Sequence, residues 1–410
     1  MNFKDLNLKK PLLDALEKSG YTEPTDIQKK AILPIIEGKD VLGCAQTGTG
    51  KTAAFALPIL DKLLENDISG KKEIRALVLT PTRELAIQVR DNFRKYSEFT
   101  NLKSGVVLGG VNQKSQEAVL KKGVDILVAT PGRLLDLINQ RIVKLNNLDI
   151  LVLDEADIML DMGFINDVKK IIKSAKEEKQ TLLFSATMPN EVKTLANTIL
   201  KNHVSISVET ETATVEKIDQ SLYYVDKQNK TSLLMDILNE NEIKSALIFT
   251  RTKHGANKLT KSINSMGIRS EVIHGNKSQS ARVMALNNFK TGKSKVLIAT
   301  DIASRGIDIS ELSHVINYEM PEKAETYVHR IGRTGRAGFS GTAISLCNID
   351  EKKGVQVIER LTNQPITEQE NSKYPMKHFE LTPKKNTFNN KNNNRSRRPG
   401  KSISQNTKYR

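Results

Sequence analysis

The sequence predicts an α/β protein of two tandem parallel-sheet domains followed by a disordered basic tail. Three observations carry that prediction. The chain has 410 residues, more than one hydrophobic core ordinarily serves. Short continuous apolar runs alternate with amphipathic segments, and the pattern breaks midway. In the first half the runs are Asp40–Ala45, Ile74–Thr80, Ser104–Leu108, Asp125–Thr130, Leu148–Asp154 and Thr181–Ser185. Continuous apolarity marks strands covered on both faces. Helical segments such as Arg83–Tyr96 and Asn190–Leu200 lie between them, so the unit is βαβ with right-handed crossovers. The stretch Val208–Lys217 is polar and without period, which suits a linker or an exposed edge. Strand runs resume at Ser245–Thr250, Ser270–His274, Lys295–Thr300, His314–Tyr318 and Thr342–Leu346. The predicted boundaries are therefore 1–207 for the first domain, 208–217 for the linker, 218–368 for the second domain and 369–410 for the tail.

A net charge of +16 calls for a polyanionic partner, either nucleic acid or an anionic membrane surface. Nine of those charges lie between Lys384 and Arg410, a stretch without an acidic residue and rich in asparagine; taking nine from +16 leaves +7 for the rest. With almost nothing apolar to bury, the tail should be disordered. Cys44 and Cys347 are far apart and suggest neither a disulfide framework nor a thiolate metal site; both read as buried core thiols. No run approaches the roughly 18 apolar residues of a membrane span, and Asp5 and Asp14 interrupt any signal-peptide pattern at the amino terminus. A soluble cytoplasmic protein is expected.

The segment Ala45-Gln46-Thr47-Gly48-Thr49-Gly50-Lys51-Thr52 follows a predicted strand and opens a helix. Glycines let backbone N–H groups close on phosphate oxygens, Lys51 supplies a charge for the β- and γ-phosphates, and the Thr52 hydroxyl is a Mg²⁺ ligand. Ala45 stands where the general Walker A pattern has glycine. Asp154-Glu155-Ala156-Asp157 follows Leu151-Val152-Leu153, so its carboxylates emerge at the carboxyl end of a buried strand, the edge where open α/β sheets bind ligands. Asp154 is placed to hold Mg²⁺ and Glu155 to orient or deprotonate the attacking water. By itself such an acidic turn is an ordinary solvated loop; a Walker A segment in the same domain changes its meaning.

Further segments occur in a set order. They are Gly20 through Gln28, Pro81-Thr82-Arg83-Glu84-Leu85-Ala86, Gly109-Gly110, Thr130-Pro131-Gly132-Arg133, Ser185-Ala186-Thr187, Gln279 with Arg282, Ala299-Thr300-Asp301, Arg305-Gly306-Ile307-Asp308, and His329-Arg330-Ile331-Gly332-Arg333-Thr334-Gly335-Arg336. With Asp-Glu-Ala-Asp itself, this set resembles the DEAD-box ATP-dependent RNA helicase family over nearly all of residues 1–365. Phe249 through Asn257 and Ile273 through Gln279 are similar to the bacterial RhlE-type subgroup.

The resemblance implies tandem RecA-like domains, ATP and Mg²⁺, and RNA as partner. It implies that Gln28 reads the adenine edge, as an amide can by donating and accepting together, with Tyr21 and Thr25 beside it. Asp26 stands where the family often has proline. Phe3 either stacks on the base or anchors the amino-terminal core. Gln46, Thr47, Gly48, Thr49, Gly50, Lys51 and Thr52 hold the phosphates; Gly306 and Asp308 serve the ribose side. Arg333 and Arg336 match the arginine fingers, whose planar charge suits a transition state spread over phosphoryl oxygens, whereas Arg330 reads as closer to an RNA contact. Asp157, Ser185, Thr187 and His329 would couple the domains. Thr82, Arg83, Gly109, Gly110, Thr130, Arg133, Gln279, Arg282 and Thr300 would grip RNA. Short hydroxyls, glycines and single arginines hold phosphates and 2′-hydroxyls without reading bases, so binding should be sequence-independent. An RNA clamp or annealing chaperone without unwinding would share every ATP residue, and a translocating DNA helicase uses related domains. The tail reads as a looser RNA contact, with a solubilising or protein-docking role as its rivals. Ribosome assembly, RNA decay and cold adaptation are all compatible with the resemblance.

Overall fold

The computed structural model describes residues 1–46, 48–65, 73–208, 218–239, 243–304, 312–335, 341–371 and 373–377, without the side chains of Ile302 and Ser304. Two seven-stranded sheets are present. The first is formed by β1 (Val41–Cys44), β2 (Ala76–Leu79), β3 (Ser104–Val107), β4 (Ile126–Ala129), β5 (Ile150–Asp154), β6 (Gln180–Ser185) and β7 (Val204–Ser207), in the order β3-β4-β2-β5-β6-β1-β7. All its pairings are parallel. The second contains β8 (Ile218–Tyr224), β9 (Ala246–Thr250), β10 (Ser270–Ile273), β11 (Val296–Thr300), β12 (His314–Asn317), β13 (Gly341–Cys347) and β14 (Thr367–Glu368), in the order β10-β11-β9-β12-β13-β8-β14. That is the first order repeated strand for strand, so each site in one domain has a topological counterpart in the other.

Consecutive residues along the central strands enter opposite cores. Ile126, Val128, Ile150, Val152, Leu182 and Phe184 join one cluster of the first domain; Leu127, Ala129, Leu151, Leu153 and Leu183 join the other. Side-chain alternation with both faces apolar is what produces continuous hydrophobic runs. All eleven predicted strand runs coincide with observed strands, while β7, β8 and β14 fall outside them. The reason is visible in β8, whose Ile218, Gln220 and Leu222 point inward while Asp219 is exposed and Ser221 half-exposed. It lies next to the two-residue edge strand β14, and a strand near an edge alternates.

The second domain also extends past the predicted boundary at 368. The Gln369 N–H donates to the Leu222 carbonyl at 2.8 Å, the Asn371 side chain to the Tyr224 carbonyl at 3.4 Å and the Lys377 N–H to Asp226 at 3.1 Å, so Gln369, Asn371 and Lys377 pack on this domain. The predicted linker from 209 and the tail from 378 lie outside the described residues. Cys347 is buried as expected, but Cys44 is only partly so. Among the described residues no helix is long and apolar enough to cross a membrane.

Candidate functional site

The carboxyl edge of the first sheet divides the predicted residues into two groups. β1, β5 and β6 lie together on one side and deliver the Walker A segment, Asp154-Glu155-Ala156-Asp157 and Ser185-Ala186-Thr187; β3, β4 and β2 on the other deliver Gly109-Gly110, Thr130 and Thr82-Arg83. Sheet order alone therefore separates nucleotide chemistry from the residues assigned to RNA.

On the nucleotide side a cleft of about 520 Å³ is lined by Tyr21, Thr25, Gln28, Lys51, Asp154 and Glu155, among others. Lys51 opens the helix Lys51–Glu65, is 6% exposed, and donates from Nζ to the Ala45 carbonyl at 2.7 Å. Thr49 donates to the Gln46 carbonyl at 2.7 Å, closing the loop on itself. Gln28 accepts from the Thr25 N–H at 3.0 Å and donates to the Gly50 carbonyl at 3.1 Å. Gly50 has φ +92°, and a Cβ there would come within 2.4 Å of the Gln28 amide nitrogen, so the close approach admits only glycine. The glutamine assigned to the base thus also braces the phosphate loop. Gly48 and Thr52 line the same cleft, and Thr47 lies outside the described residues. Phe3 is buried in the core cluster of the first domain at 3% exposure.

Glu155 adopts a left-handed conformation, φ 55° and ψ 55°, at the start of the helix Ala156–Asp161. For a non-glycine residue this costs roughly 1–2 kcal/mol, held by the surrounding fold, and it turns the chain sharply just as it leaves β5. The Asp154 carboxyl is 2% exposed; burial pushes it up to about 7, with the Lys51 charge opposing and Glu155 adding to the rise. Its Oδ1 is buried without a hydrogen-bond partner. A buried carboxylate oxygen lacking a partner beside a phosphate loop fits a divalent cation, which reverses the penalty of burying charge. Behind it, Asp157 accepts from both the N–H and the hydroxyl of Thr187 at 2.9 Å, and its own N–H donates to the Ser185 hydroxyl at 3.2 Å. Three of the four predicted coupling residues thus form one network; His329 lies on the helix Ala324–Ile331 of the second domain.

On the RNA side, Thr82 and Thr130 occupy the N-cap positions of the helices Arg83–Tyr96 and Pro131–Asn139. Such helix starts favour anions. Gly110 has φ +70°, and a Cβ there would lie 2.2 Å from the Arg83 guanidinium. Arg133 donates to the Val111 carbonyl at 3.4 Å, gathering Arg83, Gly109, Gly110 and Arg133 into one patch. In the second sheet Gln279, Arg282 and Thr300 follow or end β10 and β11, the counterparts of β3 and β4. The two groups meet through Glu84: it accepts from Gln279 at 3.0 Å and from Arg282 at 2.6 Å. Burial lowers the Arg282 pKa, with Glu84 opposing and Arg83 adding to the fall. Gln279 Oε1 and Arg282 Nε remain buried without hydrogen-bond partners.

Two residues differ from expectation. Arg330 is buried inside the second domain: it is 2% exposed and grips Asp301 with two bonds, Asn317 at 3.1 Å and the Glu319 carbonyl at 2.7 Å. A guanidinium satisfied this fully anchors the domain. Lys290, which no motif singled out, lines the nucleotide cleft from the second domain. Arg333 is 7% exposed in the turn after Ala324–Ile331. Gly306, Asp308 and Arg336 lie outside the described residues.

The model for the DEAD/DEAH box helicase family matches residues 25–195, and that for the helicase conserved C-terminal domain matches residues 229–338. The chain belongs to the DEAD-box ATP-dependent RNA helicase family. It is 45% identical to the DEAD-box ATP-dependent RNA helicase RhpA of Helicobacter pylori, over 84% of this chain and 69% of that one. It is 42% identical to CshA of Bacillus subtilis, over 89% and 73%. Among solved structures, S. cerevisiae Dbp5 bound to RNA and ADP BeF3 superposes with a TM-score of 0.80 at 31% identity, covering 90% of this chain and 95% of that one. The two sheets of this DEAD-box helicase are accordingly the tandem RecA-like domains, and its nucleotide is ATP with Mg²⁺.

The bonds to Glu84 give this helicase a testable joint. Each hydrogen bond to a charged group contributes about 1.5–3 kcal/mol, so Glu84→Ala should loosen domain docking. Small-angle scattering of the RNA-free protein should then give a larger radius of gyration than wild type, with the melting of each domain little changed. An unaltered radius would show that the domains are held by other interactions.

Proposed function

We propose that this helicase works as an ATP-gated clamp on the RNA backbone, strains one strand across both domains and so opens short duplexes. The observation that carries the proposal is the matched partition of the two sheets, with residues assigned to RNA on equivalent strands and tied together across the domains by Glu84. The unpartnered Gln279 acceptor and Arg282 donor suit a 2′-hydroxyl and a phosphate oxygen. Thr52 and Asp154 would hold Mg²⁺, which supplies charge neutralisation at the phosphates when bound. Glu155 orients the attacking water and accepts its proton, Lys51 leaves the Ala45 carbonyl for the phosphates, and Arg333 and Arg336 complete the site on domain closure. Hydrolysis then resets the clamp.

Thermodynamic linkage supplies the test. If an unhydrolysed ATP analogue tightens single-stranded RNA binding by some factor, RNA must tighten the analogue by the same factor. Measured affinities that are independent of each other would sink the clamp, and failure to displace a short RNA strand with ATP would reduce it to holding or annealing. Membership of the RhlE-type subgroup rests on Phe249 through Asn257 and Ile273 through Gln279. We place the protein in the cytoplasm, acting on structured RNA such as ribosomal or messenger RNA and alongside ribosome-assembly or RNA-decay proteins.

The nine charges from Lys384 to Arg410 add a sequence-independent electrostatic attraction to RNA. Deleting that segment should leave turnover at saturating RNA nearly unchanged. It should also raise the RNA concentration required and lower the log–log salt slope by about 0.7 for each phosphate that the tail no longer neutralises. Titrating labelled RNA at several salt concentrations checks this; equal affinities and slopes would assign the tail to solubility or a protein partner.

A further inference from the structure

The opposite, amino-terminal edge of the first sheet holds a second cavity, of about 590 Å³. That lies within the roughly 300–1,000 Å³ of small-molecule sites. It sits at the starts of β1, β2, β5 and β6 and before β7. With strands of four to six residues at about 3.3 Å each, it is on the order of 15 Å from the ATP edge. Lys39, Lys62, Arg75, Lys179 and Lys201 line it, against Asp40, Asp149 and Glu178.

Of the lining carboxylates, Asp40 and Asp149 are already committed, while Glu178 lies exposed at the rim. Asp40 accepts the Thr181 and Lys201 N–H groups, each at 2.7 Å, and Asp149 accepts from Lys176 at 2.6 Å. Arg75 pairs with Asp125 at 3.2 Å, and Lys39 with Glu37 at 2.7 Å. The remaining ammonium groups are under-used. Lys179 donates to the Lys176 carbonyl at 2.9 Å, Lys62 to the Gln180 side chain at 3.2 Å, and Lys201 stands 3.9 Å from Glu177. Burial, and then the neighbouring Lys201 charge, lower the pKa of Lys179. An ammonium carries three donors, so Lys62, Lys179 and Lys201 retain several hydrogen bonds to offer into one concave space.

We propose that this rim binds a linear oligophosphate anion, with Lys62, Lys179 and Lys201 as its ligands. Several phosphate groups in a chain match lysines spread along a rim, and charge-assisted bonds to phosphate oxygens are the strong ones. The same chemistry is offered by a free oligophosphate and by the 5′-triphosphate end of an RNA. Neither the P-loop nor the RNA patch shares a residue with this cavity.

The test is calorimetric titration of tripolyphosphate into the full chain with the ATP cleft saturated by an unhydrolysed Mg·ATP analogue. One further site should appear. Lys179→Gln combined with Lys201→Gln should weaken it by about tenfold or more, whereas Lys169→Gln with Lys170→Gln, on an exposed helix face, should leave it intact. RNA-stimulated ATPase should be unchanged in both. Competition by an RNA bearing a 5′-triphosphate, but not by its 5′-hydroxyl counterpart, would support the RNA end as source; absence of competition with the site intact would support the free anion. The proposal is overturned if nothing binds once the ATP cleft is filled, or if both double variants lose affinity equally.

Discussion

Glu155→Gln should reduce single-turnover ATP hydrolysis by about 10²–10⁴-fold, the range ascribed to a positioned general base, while ATP-dependent RNA binding survives. The substitution keeps the shape of a side chain that is only 4% exposed and leaves Asp154 in place for Mg²⁺. What it removes is the negative charge proposed to activate water. The left-handed backbone at this position is as accessible to glutamine as to glutamate, so the fold should be retained. Lys51→Ala gives the contrast: it removes the charge proposed to meet the phosphates and should weaken ATP binding as well as turnover. Hydrolysis at the wild-type rate by the Glu155→Gln protein, followed at saturating ATP and RNA, would remove Glu155 from the role assigned to it.

Arg333→Ala should lower RNA-stimulated turnover by about 10³–10⁵-fold, the contribution of an arginine finger to phosphoryl transfer, and leave ATP affinity of the RNA-free protein nearly unchanged. On the proposed reading the finger acts only after closure, so its loss would belong to kcat and not to the initial encounter. Arg330 supplies a useful comparison. Its bonds to Asp301, Asn317 and the Glu319 carbonyl make it a structural anchor, so Arg330→Ala should lower the melting temperature of the second domain, whereas Arg333→Ala should change it much less. Wild-type RNA-stimulated turnover in Arg333→Ala would show that the residue is not a finger.

The interior of both domains was legible because their central strands are apolar on both faces, and the sequence records that as uninterrupted runs. Thus Ile126–Ala129 and Ile150–Asp154 could be placed from the chain alone, and the segments that follow them could be put at one sheet edge. The near-edge strands escaped for the complementary reason. β7 and β8 bury one face and alternate, a weaker signal over four to seven residues. The fold beyond Glu368 escaped because Asn371 and Lys377 are held by hydrogen bonds to β8 and Asp226, which leave no periodic trace.

By itself the sequence determined the chemistry available to this protein: a phosphate loop, paired carboxylates after a strand, arginines in a second domain, and a basic tail. Those depend on residue type and local spacing, which a chain displays directly. Tertiary structure alone decided how the groups are used. It placed Gln28 against the Gly50 carbonyl, set Glu155 in a left-handed turn, buried Arg330 against Asp301, brought Lys290 to the nucleotide cleft and joined Glu84 to Gln279 and Arg282. Each of these pairs surfaces far apart in the chain or imposes a backbone angle from outside. Their energies depend on distances of a few ångströms between groups that local sequence does not relate.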